Sequence, residues 1–317
     1  MSLQQQIEEF IALRRALGQK YVQGGYTLRA FGRAMGEGID ITDVRPEKVN
    51  AFLAGNGHVT RTWLSRYGVL AGFYEHAISC GYVDESSLPP DRPRIPKTFV
   101  PYIFSSGELR RLLQSVESYQ RHYHRSLESA TVRIIVLLIY GTGLRCSEAI
   151  GLNHADVNLK ECVLIIRATK FNKQRLVPFS RKLGEALSQY AGDRGIGSRT
   201  TYHGDNPFFT TRQDIRVVRD TLERNFRVLC NHAGIRRTDG AKLQPRLHDL
   251  RHTFAVHRLT EWYREGADVQ KLLPQLSVYL GHVRIECTQV YLSMTPELLR
   301  QASNRFERYF MEGRAHE

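Results

Sequence analysis

The stretch PRLHDLRHTFA, residues 245–255, is the part of the sequence that is most informative about the fold. Its second half has the pattern of a helix that begins near Asp249. Positions three apart on a helix share a face, so His248 and Arg251 should point the same way. A guanidinium offers a planar fork of donors that suits phosphate oxygens, and a neighbouring imidazole adds a further donor. The stretch therefore predicts a site that handles a phosphate group.

Two further groups for this site follow downstream. A second predicted helix ends at Leu-Gly-His, residues 280–282, and Tyr291 follows shortly after it. His248 and His252, at positions i and i+4, also fit a metal site. However, position 249 is aspartate, so the His-Glu-x-x-His signature of zinc proteins is absent. The sequence therefore favours a phosphate site with a second imidazole and a phenol over a metal centre.

The stretch GTGLRCSEAI, residues 141–150, supplies a second arginine. Its glycines predict a tight turn that points a helix N-terminus, with its free N–H groups, at whatever lies beside Arg145. Glu148 lies three residues further on and is placed to orient Arg145. An isolated arginine near a helix start is usually a surface residue, so this stretch becomes informative only together with the others.

A predicted β-hairpin supplies a lysine. Residues 162–166 and 174–178 are typical of two paired strands, and the polar tip between them carries Lys170. A lone lysine at a hairpin tip is usually a solubilising residue, so Lys170 also needs the other motifs as context.

The charge of the chain predicts a polyanionic partner. The 317 residues carry a net charge of +13. Residues 1–100 hold 12 Lys+Arg and 10 Asp+Glu, which leaves 33 and 22 for residues 101–317, a net of +11. Such a surplus favours a nucleic acid or an anionic membrane. The longest apolar run, residues 134–140, is too short to span a bilayer, so we expect nucleic acid and no membrane association.

The cysteines and the N-terminus favour a cytosolic protein. The five cysteines are scattered and form no Cys-x-x-Cys pair, which favours reduced thiols over a disulfide framework or a zinc site. The first ten residues, MSLQQQIEEF, are polar and acidic, unlike those of a signal peptide. We therefore expect the protein in the cytoplasm.

Helical periodicity and prolines divide the chain. Four helices are predicted in the first part, at residues 3–16, 26–35, 48–53 and 60–80. Five prolines between residues 88 and 101 predict an extended, stiff linker. Its basic residues are Arg92, Arg94 and Lys97, which either face solvent or lie along a phosphate backbone. Further helices are predicted at residues 126–140, 181–192, 213–232, 248–264 and 267–280, with one beginning near Cys146 and one N-capped by Ser105 or Ser106.

The motifs together resemble the tyrosine recombinase family, the phage integrases and their bacterial relatives. The resemblance is carried by GTGLRCSE at 141–148, TKFNKQRLVP at 169–178, HDLRH at 248–252, LGH at 280–282 and Tyr291. It implies a mainly α fold with a small antiparallel sheet. The implied domains are a helical core-binding domain at 1–87, a proline-rich basic linker at 88–104 and a catalytic domain with a C-terminal helix at 105–317. Phe171 departs from relatives that have glycine after the lysine.

The resemblance implies a role for each site residue. Tyr291 would attack the scissile phosphate and form a 3′-phosphotyrosine bond, while Arg145 and Arg251 would hold the non-bridging oxygens. His248 and His282 would add hydrogen bonds, His248 could assist proton transfer, and Lys170 would protonate the leaving 5′-oxygen. No metal or other cofactor is implied. The expected DNA-binding residues are Arg92, Arg94, Lys97, Lys173 and Arg175.

The resemblance also implies the partners. The DNA partner is double-stranded. The chain would form a homotetramer on two DNA sites and would be a monomer or weak oligomer without DNA. Its location would be the bacterial nucleoid. The function would be site-specific recombination for a mobile element, by integration, excision or transposition. Two alternatives remain: a type IB topoisomerase, which uses the same chemistry to relax DNA, and a non-catalytic DNA-binding regulator on the same fold. The separate helical domain favours recombination over relaxation, and a regulator has no need of Tyr291 or Lys170.

The predicted C-terminal helix has a stripe of apolar residues that must be buried. Leu298, Leu299, Phe306 and Tyr309 recur at helical spacing. The stripe packs either on its own catalytic domain or, as the resemblance implies, on a neighbouring protomer. The sequence leaves both alternatives open.

Overall fold

The computed structural model describes residues 1–55, 57, 59–93, 100–121, 127–167, 174–194, 204–241, 243–294 and 296–314. The chain divides into two compact units, Met1–Thr98 and Phe99–Glu317. Each unit has a hydrophobic core of its own. The domain boundaries predicted at residues 87 and 104 stay a prediction.

The described residues of the first unit form four α-helices: α1 Leu3–Ala16, α2 Val22–Met35, α3 Pro46–Ala54 and α4 Arg61–Ser79. All four predicted helices are present. Local signals fix their ends, since Thr60 caps the first turn of α4 through its hydroxyl and Pro46 takes the first position of α3. The apolar faces meet around Phe10, Phe31 and Phe73, which are fully buried.

The second unit is mostly helical, and its described residues include one small sheet. Its helices are α5 Ser106–Arg121, α6 Ser129–Thr142, α7 Cys146–Ile150, α8 Arg181–Asp193, α9 Arg219–His232, α10 Asp249–Arg264, α11 Val269–Leu280, α12 Glu286–Gln289 and α13 Pro296–Arg314. The strands are β1 Val157–Asn158, β2 Val163–Ile166 and β3 Arg175–Pro178, in the order β1-β2-β3 and antiparallel throughout. Among the described residues, no helix is both long and apolar enough to cross a membrane.

Helix α6 lies at the centre of this unit, where α5, α8 and α10 pack against it. Its sequence, SATVRIIVLLIYGT, is apolar on nearly every side, and a helix of that kind belongs in a core. The C-terminal end of α6 leads directly into the turn with Arg145, so the core anchors one side of the candidate site.

Two local expectations differ from the structure. The helix predicted from residue 213 begins only at Arg219, because the preceding residues form a tight turn in which the Thr211 amide donates to the Ile215 carbonyl at 2.8 Å. Strand β1 was not predicted. It is two residues long, and its register comes from pairing Val157 with Leu164 of β2. Neither feature has a local periodic pattern.

The first turn of α13 packs on its own unit. Leu298 is completely buried in a cluster with Phe254 of α10 and Tyr291, and Arg264 of α10 pairs with Glu297 at 3.0 Å. The side chains of Phe306 and Tyr309 lie outside the described residues, as does Thr295, the expected N-cap.

Candidate active site

The turn between α6 and α7 fixes the backbone on one side of the site. Gly143 ends α6 in the left-handed conformation, with φ of 64°. A Cβ atom at this position would lie 2.5 Å from the Phe254 ring and 2.7 Å from Leu280, so glycine is needed for conformation and for space. The close approach puts the Gly143 carbonyl within reach of α10, where it accepts a hydrogen bond from Arg251 at 2.7 Å.

Glu148 orients Arg145, as the spacing predicted. Its carboxylate accepts a hydrogen bond from Arg145 Nη1 at 2.8 Å and one from the Arg145 backbone amide at 3.0 Å. The same carboxylate pairs with Arg175 of β3, whose Nη1 and Nη2 donate to its two oxygens at 3.0 and 2.8 Å. A bidentate pair of this kind is among the strongest charge-assisted contacts in proteins. It ties the hairpin to the turn that carries Arg145.

The three arginines share the C-terminal end of α11. Arg175 Nε donates to the Tyr279 carbonyl at 3.1 Å, Arg251 Nη2 to the Leu280 carbonyl at 2.7 Å, and Arg145 Nη2 to the Gly281 carbonyl at 2.9 Å. The last carbonyls of a helix lack partners inside the helix and lie at the negative end of its dipole, so they attract cations. One helix end therefore sets the mutual positions of all three guanidinium groups.

Arg251 is the most enclosed of these cations, with only 1% of its surface exposed. Burial lowers its pKa to about 10, and the nearby Arg145 charge acts in the same direction. The guanidinium still stays protonated at neutral pH. A buried cation beside a second cation is costly and favours an anion at the same place.

The three histidines around the arginines are held neutral. Burial, followed by the charge of Arg251, lowers the pKa of His248 to about 4 and that of His282 to about 4. Burial and the neighbouring His248 lower the pKa of His252 to about 3. His282 Nδ1 also lies 2.7 Å from the Thr288 hydroxyl, which fixes its ring. At neutral pH each imidazole therefore offers one donor and one acceptor.

Tyr291 lies inside this group and is 3% exposed. It belongs to a 3₁₀ turn, Val290–Ser293, and its ring stacks on His282 at 6.2 Å between ring centres. Its hydroxyl lies 3.2 Å from His252 Nδ1. Burial raises the pKa of Tyr291, while the charges of Arg251 and Arg145 oppose the increase.

Comparison with known proteins shows the family to which this chain belongs. Residues 104–297 match the model of the phage integrase family. The chain belongs to the phage integrase family. The Sinorhizobium fredii protein y4rE, named for an integrase/recombinase, is 33% identical over 314 residues, which cover 99% of this chain and 97% of that protein. The tyrosine recombinase XerA of Thermococcus kodakarensis is 30% identical over 257 residues, which cover 80% of this chain and 78% of that protein.

Solved structures share the fold. A lambda integrase dimer bound to a COC' core site matches with a TM-score of 0.66 at 15% identity, covering 93% of this chain and 78% of that chain. The XerA recombinase crystal structure matches with a TM-score of 0.51 at 24% identity, covering 96% and 97%. The predicted fold class is confirmed, and the curated relatives confirm the predicted enzyme class, tyrosine recombinase.

The fold of this family member brings five of the predicted catalytic residues together. They are Arg145, His248, Arg251, His282 and Tyr291; the charges of the two arginines lower the pKa of both histidines and oppose the rise in the pKa of the tyrosine. Four other predicted site residues lie outside the described residues: Lys170, Lys173, Arg94 and Lys97. The catalytic roles stay predictions.

The predicted DNA contacts of two described arginines are also untested. Arg92 is exposed in the first unit, with its guanidinium 4.7 Å from the centre of the Tyr67 ring. Arg175 has a side chain only 11% exposed, and its hydrogen bonds go to Glu148 and the Tyr279 carbonyl. In this structure Arg175 holds the site together, and its contact with DNA stays a prediction.

One residue at the centre was missed by the sequence reasoning. His252 was considered only as a metal ligand, whereas its ring contacts Tyr291. The available signal was its position four residues after His248 on one helix. That spacing shows a shared face, but the partner 39 residues away cannot be read from it.

Proposed function

We propose that this chain is a site-specific DNA recombinase that cuts and rejoins DNA strands through a 3′-phosphotyrosine bond at Tyr291, for a mobile element. The observation that carries the proposal is the surroundings of the Tyr291 hydroxyl. His252 Nδ1 lies 3.2 Å from it, and the charges of Arg251 and Arg145 act to lower the pKa of the phenol against the raising effect of burial. The phenol therefore lies in cationic surroundings, which a phenol with a pKa of about 10 needs in order to attack near neutral pH.

The chemistry follows from the charges. The Tyr291 oxygen forms a bond to the scissile phosphorus while the bond from phosphorus to the 5′-oxygen breaks. Arg145 and Arg251 hold the non-bridging oxygens and neutralise the charge that develops on them. The α11 carbonyls fix both guanidinium groups before the phosphate arrives, so little reorganisation is needed during the reaction.

The remaining residues handle hydrogen bonds and protons. His248 and His282 donate hydrogen bonds to the phosphate, His248 also assists removal of the proton from the Tyr291 hydroxyl as it attacks, and Lys170 delivers a proton to the leaving 5′-oxygen. Rejoining reverses these steps with the incoming 5′-hydroxyl as nucleophile. The phosphotyrosine conserves the energy of the phosphodiester bond, so the reaction requires no nucleotide cofactor.

Complete exchange requires four copies of the chain. Two duplexes present four strands to be cut, and each chain contributes one Tyr291. We therefore propose a homotetramer on two DNA sites that assembles from a monomer or weak oligomer. Light scattering after size exclusion tests this, with and without a duplex carrying the element's ends. A stable tetramer in the absence of DNA contradicts it.

The partner is double-stranded DNA. The net charge of +11 on residues 101–317 implies several phosphate contacts with release of counterions, so log K falls steeply with log[salt]. Arg92, Arg94, Lys97 and Lys173 are the residues we expect to contribute. A flat salt dependence contradicts binding along the phosphate backbone.

The deciding experiment replaces the nucleophile. Tyr291→Phe should bind the element's ends but form no covalent adduct on nicked suicide DNA, because no oxygen remains to attack. Tyr279→Phe is the matched control. The Tyr279 hydroxyl donates to the Pro178 carbonyl at 2.9 Å and its ring stacks on Phe254, so the variant should keep adduct formation. Adducts with Tyr291→Phe refute the assignment.

A second assay separates recombination from the alternatives. Strand exchange between two copies of the element's end supports a recombinase. Relaxation of supercoiled DNA without exchange supports a topoisomerase. Binding with neither reaction in the wild-type chain supports a regulator.

A further inference from the structure

Thr288 is a completely buried polar residue beside the candidate site. Its hydroxyl lies 2.7 Å from His282 Nδ1. The residue belongs to α12 and directly precedes the turn that carries Tyr291. A threonine hydroxyl can donate or accept, and an imidazole nitrogen can do either according to its tautomer. The direction of this one hydrogen bond therefore decides which nitrogen of His282 carries the proton.

The position of Thr288 in its helix identifies the direction. Other buried threonines of this unit, such as Thr253 and Thr260, donate to the backbone carbonyl four residues earlier, both at 2.8 Å. Thr288 is the third residue of a four-residue helix, so the carbonyl four residues earlier precedes that helix. Among the residues that the structure describes, His282 Nδ1 is the one hydrogen-bond partner of its hydroxyl. Because a buried hydroxyl hydrogen needs an acceptor, it points to Nδ1.

This direction fixes the tautomer of His282. A ring nitrogen that accepts a hydrogen bond carries no proton, so the neutral ring is protonated at Nε2. The ring is neutral at pH 7 because burial, followed by the charge of Arg251, lowers its pKa to about 4. Arg145 and Arg175 also face it. Guanidinium groups can only donate hydrogen bonds, so these neighbours supply no acceptor that would hold a proton on Nε2.

We propose that Thr288 is a positioning residue for strand cleavage, because its hydroxyl donates to His282 Nδ1 and so keeps the Nε2–H group available as a donor to the scissile phosphate. Phosphate oxygens accept hydrogen bonds, and the other tautomer would place a lone pair against them. The same contact orients the ring, which stacks on Tyr291. The proposal rests on the proposed function, since the phosphate contact of His282 belongs to it.

The tautomer is measured without DNA, in the full-length chain with ¹⁵N-labelled histidine. Long-range proton–nitrogen correlation spectra at pH 7 distinguish a protonated ring nitrogen from an unprotonated one, and His282→Phe identifies the His282 signals by their loss. The wild type should show His282 protonated at Nε2. Thr288→Val should show a mixture of tautomers because its methyl group cannot donate, whereas Thr288→Ser should match the wild type.

Single-turnover adduct formation on nicked suicide DNA measures the consequence for cleavage. Thr288→Val should be slower by about tenfold, the typical effect of one hydrogen bond, with DNA binding retained. Thr288→Ser should recover most of the rate. Adding Thr288→Val to His282→Phe should cause no further decrease, because the phenyl ring has no Nδ1 to hold.

The chain offers a matched control on α10. Thr260 is also buried, and its hydroxyl donates to the backbone carbonyl of Val256. Thr260→Val therefore removes a buried hydroxyl of the same kind away from His282. This variant should keep both the wild-type rate of adduct formation and the wild-type tautomer of His282.

Each of four results would overturn the proposal: a proton on Nδ1 in the wild type, an unchanged tautomer in Thr288→Val, a wild-type rate in that variant, or an additional decrease in the double variant, which makes Thr288 a packing residue. Where Thr288→Val unfolds the chain, Thr288→Ala and Thr288→Ser, which differ in the hydroxyl alone, are compared in the same assays. Adducts with Tyr291→Phe refute the nucleophile and with it the proposed function, and the tautomer measured without DNA is independent of that failure.

Discussion

Replacing Glu148 by glutamine tests how the site holds Arg145. The carboxylate bonds both Arg145 and Arg175. Glutamine has nearly the same shape, but its amide nitrogen is a donor, and guanidinium groups can only donate. At least one arginine therefore loses an acceptor, and both lose the opposite charge. The change leaves two cations close together, with less to hold them in place.

The magnitude follows from the pKa of Glu148. Burial alone would raise it, but hydrogen bonds from Arg175 and the Arg145 backbone bring it from 4.5 to about 2. The side chain is only 10% exposed, so solvent screens the pair weakly. A difference of this size corresponds to about 3 kcal/mol of unfolding free energy. For a unit of this length, that is a fall of roughly 6–12 °C in melting temperature.

The direction of the Glu148 pKa shift predicts the pH range over which the carboxylate stabilises the fold. Because the folded pKa lies below the unfolded one, the charge contributes its full stability above pH 4.5 and loses it as the pH falls towards 2. The difference between wild type and Glu148→Gln should therefore be complete at pH 7 and shrink below pH 4.5. DNA cleavage should slow as well, with DNA binding retained, because Arg145 no longer has a fixed position.

Urea unfolding, monitored by tryptophan fluorescence, measures the difference in stability between the wild type and Glu148→Gln. The chain has two tryptophans, Trp63 in the first unit and Trp262 in the second, so a Trp63→Phe background reports on the unit that contains Glu148. Glu223→Gln is the control. Glu223 pairs with Arg219 at 2.7 Å but is 36% exposed, and its loss should cost less than about 0.5 kcal/mol. A loss below about 1 kcal/mol for Glu148→Gln, or an equal difference at pH 3 and pH 7, refutes the reasoning.

Three further predictions concern the same unit. The lowered pKa values of His248, His252 and His282 mean that the unfolded chain binds protons that the folded chain does not. Stability should therefore be full above about pH 6.5 and fall towards pH 4; a melting temperature constant over that range contradicts this. Leu298→Ala should cost about 2–5 kcal/mol because the side chain is fully buried, and an unchanged urea midpoint would mean that α13 does not pack on its own unit in solution. Gly281→Ala should cost at least about 1 kcal/mol, because φ is +68° and the new Cβ would lie 2.8 Å from Arg175; a neutral effect on stability would show that this turn is not constrained.

The sequence alone determined most of the helices, the β2–β3 hairpin and the family. Local periodicity fixed the helices, because the apolar face of each one lies within a single segment. The glycine turn before Arg145 and the HDLRH stretch at residues 248–252 were recognisable because their function depends on neighbours three or four positions away. The start of α9 and the strand β1 could not be predicted, because a turn decides where α9 begins and pairing with β2 decides where β1 lies.

Only the tertiary structure decided how the site residues are held. Arg175 is 27 residues from Glu148, and Arg145 is 136 residues from the Gly281 carbonyl that it bonds. The contact of His252 with Tyr291 joins two segments that pack around Leu298. These partners depend on which buried groups need a donor or an acceptor once water is excluded, and that need arises only when distant segments have packed together.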